Sequence, residues 1–212
     1  MTASSVTSQI QQMLEMQHQM NTKVHPQWFD QGFAWHRAIW VECAEMLDHY
    51  GWKWWKKQTP DTEQVMLELV DIFHFGLSLR IDGKTALEQI AEQLCQELTQ
   101  PHTEADFAQT LEKLASAAVT ERSFNGFAFA GCMSQIGLSF DQLYRMYVGK
   151  NTLNLFRQDY GYQTGEYIKI WHGREDNEHL MDILNRLDSQ SAQFAKDVYL
   201  ALEQAYPGQT HA

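Results

Sequence analysis

The chain has 212 residues and a formal charge of −11 at neutral pH, from 27 acidic and 16 basic side chains. This charge argues against a protein that binds the phosphate backbone of DNA or RNA, because such proteins need a clustered excess of lysine and arginine. Hydrophobic residues make up 44% of the chain, enough for a folded core, and only 4 prolines and 12 glycines interrupt it. So few residues that break regular structure favour long helices over many short strands.

Apolar residues recur at helical spacing along most of the chain, and the first predicted helix covers 6–22. His25-Pro26 ends it, because the residue before a proline is pushed out of the α conformation. Thr59 is predicted to cap the third helix, with Pro60 at its first position. With no β-type alternation, the predicted fold class is all-α, in a single domain over 1–212. The other helices are expected over about 34–50, 60–81, 85–99, 104–121, 123–138, 140–160 and 178–205.

The cysteines and the lack of a long apolar segment indicate a cytoplasmic protein. Cys43, Cys95 and Cys132 have neither the even number of a disulfide framework nor the spacing of a zinc site, so we expect reduced and mostly buried thiols. The N-terminal residues show no basic region followed by an apolar one, as a signal peptide would. No apolar run approaches the length of a membrane span.

Two pairs of carboxylates stand on consecutive predicted helices. Glu42 and Glu45 are three residues apart on the second helix, and Glu68 and Asp71 have the same spacing on the third. Each pair occupies one helical face that borders apolar residues. If the helices pack side by side, four carboxylates meet and repel one another unless cations bind, and hard divalent ions such as Mg²⁺ take oxygen ligands. The alternative is a pair of solvated acidic faces, which spacing alone leaves open.

A di-iron helical bundle is a second metal-binding hypothesis. Such bundles use two Glu-x-x-His motifs and two further glutamates. The chain has one such motif, Glu15–His18, which lies outside the carboxylate pairs. Asp71 and His74 have the same spacing, but with an aspartate in place of the glutamate, so they match the motif only in part. Mg²⁺ is therefore the favoured ion.

Positive charge is concentrated in a later stretch. Lys150, Asn154 and Arg157 share one face of a predicted helix, and Lys169 follows a glycine-containing turn. Together they offer a point charge, a neutral donor and a guanidinium fork for a phosphate chain. The polar side of an amphipathic helix is the alternative. No glycine-rich phosphate loop is present, so a bound nucleotide would be held by metal and side chains.

Several of these segments together resemble a known enzyme family. They are WHRAIWVECAEMLDHYGWKWWKK at 35–57, DTEQVMLELVDIFHFGLSLRI at 61–81, the block YVGKNTLNLFRQDYGYQTGEYIKIWHGREDNEHL at 147–180, and MLEMQHQMN at 13–21. The chain is similar to the dimeric dUTP diphosphatases (dUTPases) of the all-α nucleoside triphosphate pyrophosphatase superfamily. Residues 84–122 agree only in helical character.

The resemblance implies an all-α helical bundle, with a rigid metal-bearing core and a smaller mobile helical part. It implies Mg²⁺-dependent hydrolysis of dUTP to dUMP and pyrophosphate, with dUDP as a further substrate, by a homodimer. Water bound to metal would be activated by Glu45 as general base. The Mg²⁺ ligands implied are Glu42, Glu45, Glu68 and Asp71, and the phosphate contacts are Lys150, Asn154, Arg157 and Lys169.

The resemblance also assigns the base and sugar contacts. Gln17 and Asn21 match amides that read the uracil edge, Trp55 lies beside the base and His74 lies near the sugar. An amide offers both a donor and an acceptor, as uracil does. Asp176 and Asn177 match a motif that closes over the nucleotide.

Three other interpretations remain open from the sequence. A sibling enzyme of the same superfamily would act on another nucleotide such as dCTP, and a non-catalytic helical dimer would bind nucleotides or a protein partner. Trp55 on the loop is alternatively a core residue. The tryptophans before the loop, Trp28, Trp35 and Trp40, are expected in the core or a dimer interface.

Overall fold

The computed structural model describes residues 3–100, 106–189, 191 and 193–208, and it is mostly helical. The all-α prediction is therefore confirmed. The chain divides into two units, Met1–Leu143 and Tyr144–Ala212. The single domain predicted from the sequence, with its rigid and mobile parts, stays a prediction beside this division.

The first unit is formed by helices that pack around a core of aliphatic and aromatic side chains. Helices α2 and α3 lie against each other, and α1 packs on both α3 and α4. Ile39 and Met46 on α2, and Ile72 and Phe73 on α3, are all fully buried in this core. The elements are α1 (Ala3–Val24), a 3₁₀ turn (Trp28–Gln31), α2 (Trp35–Tyr50), α3 (Thr62–Arg80), α4 (Leu87–Thr99), α5 (Phe107–Ser116) with a π turn (Ala117–Glu121), and α6 (Gly126–Gln135).

Local capping sets the ends of the helices that carry the carboxylates. Gly51 ends α2 in the left-handed conformation, with φ of 86°, which glycine adopts without strain. Helix α3 begins at Thr62, and Asp61 caps it by accepting a hydrogen bond from the backbone N–H of Gln64 at 3.2 Å. The prediction that Thr59 caps this helix is wrong, because the aspartate two residues later supplies the capping oxygen.

The second unit contains the remainder of α7 (Phe140–Asp159), which begins in the first unit, followed by a small hairpin and two helices. The predicted helix over 178–205 is interrupted: α8 covers Asp176–Leu184 and α9 covers Phe194–Ala205. The strands Ile170–Trp171 and Arg174–Glu175 pair antiparallel. This hairpin was not predicted.

The hairpin and helices of the second unit enclose an aromatic core. Trp171 and Phe156 are fully buried, with ring centroids 6.0 Å apart, and Tyr160 stacks on Phe156 at 4.2 Å. This core fixes the end of α7 relative to Asp176, the first residue of α8, within the same unit. Among the residues described, no helix is both long and apolar enough to cross a membrane.

Candidate active site

Three carboxylates converge between α2 and α3. Glu42 projects from α2, and Glu68 and Asp71 project from α3, so that an oxygen of each lies within 4.8 Å of the others. All three residues are half-buried. The helix pairing expected from the sequence is thus present, and the alternative of two separate solvated faces does not describe these three residues.

The convergence of the three carboxylates has an electrostatic cost. Burial, a hydrogen bond with Glu68 and the charges of Asp71, Glu68 and Glu45 raise the pKa of Glu42 from 4.5 to about 8. A bound divalent cation would relieve this repulsion, and oxygen-only ligands match the preference of hard ions such as Mg²⁺ and Ca²⁺. The residues present therefore fit the metal that the sequence implies.

Glu45, the fourth predicted ligand, lies outside this group of three. It is exposed on α2, one turn beyond Glu42, and its charge contributes to the raised pKa of Glu42. His49, a further turn along the same helix, places its Nε2 atom 3.7 Å from Glu68 Oε1. The structure thus separates a half-buried cluster of three carboxylates from an exposed carboxylate on the same helix as Glu42.

The di-iron hypothesis gains no support from this arrangement. The cluster contains carboxylates alone. Glu15 and His18 are on α1, where Glu15 accepts a hydrogen bond from Gln11 and the His18 ring stacks on Phe29. His74, on the same helix as Asp71, is hydrogen-bonded through its Nδ1 atom to the side-chain amide of Gln17 on α1.

That amide belongs to a buried polar network between α1 and α3. Gln17 Nε2 donates to Asn21 Oδ1 at 2.9 Å, and Asn21 Nδ2 donates to Ser78 Oγ at 3.0 Å. The ring nitrogen Nδ1 of His74 is 2.8 Å from Gln17 Oε1. All four residues are at least 95% buried. The structure therefore brings together the two predicted base-reading amides and the predicted sugar contact, and it adds Ser78, which the sequence analysis missed.

Trp55 lies on an exposed aromatic surface, not in the core. It is 56% exposed and meets Trp52 and Trp54 edge to face, with ring centroids 5.1 and 5.4 Å away. The hypothesis of a core tryptophan is therefore wrong for Trp55. Of the earlier tryptophans, Trp28 is a core residue, as expected, and Trp40 is 42% exposed.

Arg157 is paired with a buried aspartate, Asp176, in the second unit. Arg157 donates Nε and Nη2 to the two oxygens of Asp176, at 2.8 and 2.9 Å, and Nη1 to Asn154 Oδ1 at 3.1 Å. Lys150 donates to Asn177 Oδ1 at 3.0 Å. The two residues assigned to a closing motif are thus the partners of two predicted phosphate contacts.

The environment of Asp176 keeps it ionised. Burial opposes the charge, but the hydrogen bonds and charge of Arg157 and the Tyr167 hydroxyl, 2.8 Å away, lower the pKa of Asp176. Lys169 stands apart from this group: it is half exposed and pairs with Glu175 at 3.2 Å. Three of the four predicted phosphate contacts are therefore clustered, and the fourth is at the surface. Tyr167 was missed, because a lone tyrosine after a glycine turn carries no distinguishing spacing.

Comparison with protein-family models gives a match over most of the chain. The model described as dUTPase matches residues 9–162. The matched range includes both carboxylate pairs, the buried amides and the basic face of α7, whereas Lys169, Asp176 and Asn177 lie beyond it. A comparison with curated proteins gives no match.

Proposed function

The chain belongs to the dUTPase family and is a dUTP diphosphatase, and we propose that it uses Mg²⁺ to hydrolyse dUTP to dUMP and pyrophosphate, and dUDP to dUMP and phosphate. The observation that carries this proposal is the convergence of three half-buried carboxylate oxygens within 4.8 Å. Such a cluster is unfavourable without a cation, so metal binding is its simplest physical purpose.

The metal ligands proposed are Glu42, Glu68 and Asp71, with Glu45 as an additional ligand at the exposed side. Mg²⁺ bound there would neutralise charge on phosphoryl oxygens and lower the pKa of a coordinated water. The ligand cluster leaves Glu45 exposed to solvent, which suits a carboxylate that must reach a water molecule. We therefore assign Glu45 as the general base that accepts the proton of the attacking water.

Phosphate binding is assigned to Lys150, Asn154 and Arg157. The side chain of Arg157 is 12% exposed and its guanidinium donates to both oxygens of Asp176, so its orientation is fixed before any ligand binds. Preorganised cations of this kind stabilise charge that develops on a phosphoryl group without having to reorganise. Asp176 acts as the positioning residue of Arg157, and Asn177 holds Lys150 in the same way. Lys169 would supply a further, exposed charge.

Base recognition is assigned to Gln17 and Asn21, with Trp55 beside the base and His74 near the sugar. An amide side chain carries donor hydrogens on its nitrogen and acceptor lone pairs on its oxygen. Uracil presents carbonyl acceptors and one N–H donor, which pair with those groups. The exposed face of Trp55 offers a surface on which a base can stack. We further propose that the enzyme is a cytoplasmic homodimer.

A comparison of four nucleotides tests the proposal. With Mg²⁺ present, pyrophosphate release is measured from dUTP, dCTP, dTTP and UTP at equal concentration, and dUTP is expected to be strongly preferred. A preference for dCTP would instead identify the sibling activity. Glu45→Gln should lose turnover, while Glu92→Gln, an identical change at an exposed position of α4, should not. Undiminished turnover of Glu45→Gln would remove Glu45 from the role of base.

A further inference from the structure

The buried carboxylate of Asp176 accepts a hydrogen bond from Tyr167 as well as those from Arg157. Its Oδ2 atom is 2.8 Å from Arg157 Nε and 2.8 Å from the Tyr167 hydroxyl, and its Oδ1 atom is 2.9 Å from Arg157 Nη2. An ionised carboxylate only accepts hydrogen bonds and a guanidinium only donates them, so the tyrosine proton is donated to Asp176. Burial and the charge of Asp176 raise the pKa of Tyr167, so the hydroxyl keeps this proton at neutral pH.

The ring of Tyr167 is held by the aromatic core of the second unit, independently of its hydroxyl. It lies parallel to the ring of Tyr206, with centroids 5.4 Å apart and an angle of 7° between the planes. The Tyr206 hydroxyl accepts the backbone N–H of Ile168, the next residue after Tyr167, at 3.0 Å. Phe156 and Trp171, both fully buried, lie 6.3 and 6.4 Å from the Tyr167 ring, edge to face. These ring contacts set the position of the hydroxyl oxygen, and a phenylalanine in the place of Tyr167 would keep them.

The pairing of Arg157 with Asp176 does not by itself fix the direction of the guanidinium. Two parallel hydrogen bonds set the orientation of the two groups relative to each other, but the pair can still turn together about the torsions of both side chains. The hydrogen bond from Tyr167 ties the carboxylate to the aromatic core. It thereby also determines where Arg157 directs its other N–H groups, among them the Nη1 group that donates to Asn154 Oδ1 at 3.1 Å.

We propose that Tyr167 is a positioning residue of the phosphate site, which acts through Asp176 to hold Arg157 in the orientation that a phosphate group requires. This inference rests on the proposed role of Arg157 in phosphate binding. A bound phosphate group competes with Asp176 for the same positive charge, so the carboxylate loses part of its attraction to the guanidinium. The Tyr167 hydroxyl continues to donate to Asp176 in that state, so the buried carboxylate is not left without a donor.

The test compares two tyrosine substitutions in the second unit. Tyr167→Phe removes the hydroxyl and keeps the ring. Tyr199→Phe is the matched control, because the Tyr199 hydroxyl also donates to an aspartate, Asp159 Oδ2, at 2.9 Å, and its ring also meets Phe156 edge to face, at 5.4 Å. Both variants lose one tyrosine–aspartate hydrogen bond, and Tyr167→Phe loses the one at Asp176. Circular dichroism and thermal unfolding establish that each variant is folded.

The first measurement is the Kd of inorganic pyrophosphate, determined by calorimetry with Mg²⁺, together with kcat/KM for dUTP. Tyr167→Phe is expected to raise this Kd and to lower kcat/KM by about tenfold each, the worth of one hydrogen bond to a charged group, whereas Tyr199→Phe should match the wild type. Arg157→Lys cannot form the bidentate pair, so adding Tyr167→Phe to it should have little further effect. Equal effects of the two tyrosine substitutions, or a full further loss in the double variant, would overturn the proposal.

The second measurement depends neither on turnover nor on a ligand. The Nε–H group of Arg157 gives a ¹⁵N–¹H signal whose exchange with solvent reports how firmly the group is held, and Arg157→Lys identifies this signal by its loss. Exchange is expected to be about tenfold faster in Tyr167→Phe and unchanged in Tyr199→Phe. Unchanged exchange in Tyr167→Phe would refute the role of Tyr167 and leave the proposed function intact. A wild-type protein that neither hydrolyses dUTP nor binds pyrophosphate would instead refute the proposed function, and with it the assignment of a phosphate site.

Discussion

Replacing Glu42 by glutamine should stabilise the metal-free protein at neutral and alkaline pH while it removes metal-dependent activity. Glu42 is the carboxylate whose pKa is raised to about 8, by burial first and then by Glu68, Asp71 and Glu45. Glutamine resembles the protonated form of Glu42 in shape and carries no charge. The variant therefore keeps the favourable packing of the cluster and loses its repulsion.

The sign follows from proton linkage. Between pH 4.5 and 8 the folded state holds a proton on Glu42 that the unfolded state has released, so stability falls as the pH rises through this window. A tenfold change in proton affinity is worth about 1.4 kcal/mol, which sets an upper limit of about 5 kcal/mol for the full loss. Because Glu42 is only half-buried, solvent screens part of this, and we expect about 2–3 kcal/mol.

Thermal unfolding in EDTA from pH 5 to pH 9 measures the effect. The wild-type melting temperature should fall by about 5–10 °C relative to that of Glu42→Gln across this range. Added Mg²⁺ should restore the wild type and leave the variant nearly unchanged. Glu92→Gln, the same substitution at an exposed site, should follow the wild type. If Glu42→Gln and wild type show parallel pH dependence in EDTA, the reasoning about the cluster is refuted.

Three further substitutions test other parts of the account. Trp55→Ala should raise KM for dUTP about tenfold through loss of stacking, whereas Trp54→Ala, at the most exposed tryptophan, should leave it unchanged; equal effects would contradict a specific role. Arg157→Ala should lower the free energy of unfolding by about 3–5 kcal/mol, because it leaves the buried charge of Asp176 unpaired, and Arg157→Lys should lower it less; denaturant titration decides, and equal losses would argue against the bidentate pair. Asp61→Ala should cost about 1 kcal/mol through loss of the α3 cap, again measured by denaturant, and no loss would place the cap elsewhere.

The carboxylate cluster shows how far the sequence leads. Spacing of three residues on two consecutive helices predicts that Glu42, Glu68 and Asp71 approach one another, and they do. Spacing does not predict that Glu45 remains exposed, because this depends on how each helix is rotated about its axis. That rotation is set by the buried residues of α2, among them Ile39, and packing partners are not visible in a single sequence.

In the C-terminal part of the chain, the spacing of apolar residues does not predict where one helix ends and the next begins. Apolar spacing on both sides of residue 188 favours one helix, but the polar run with Ser189 and Ser191 separates α8 from α9. The hairpin turns at His172 and Gly173, which both have positive φ, as a type I′ turn requires. A His-Gly pair between two-residue strands is too short a signal for detection by alternation. Ser78 was missed because a single serine on an apolar helix carries no distinguishing spacing.

The most direct test of the account is the Mg²⁺ dependence of pyrophosphate release from dUTP by the wild type and Asp71→Asn. With Mg²⁺, the wild type is expected to release one pyrophosphate per dUTP, and in EDTA it should show no turnover. Asp71→Asn should lose most of this activity and bind Mg²⁺ more weakly in calorimetry. Turnover of dUTP that persists in EDTA, or that is undiminished in Asp71→Asn, would contradict the claim that the acidic cluster binds the catalytic metal.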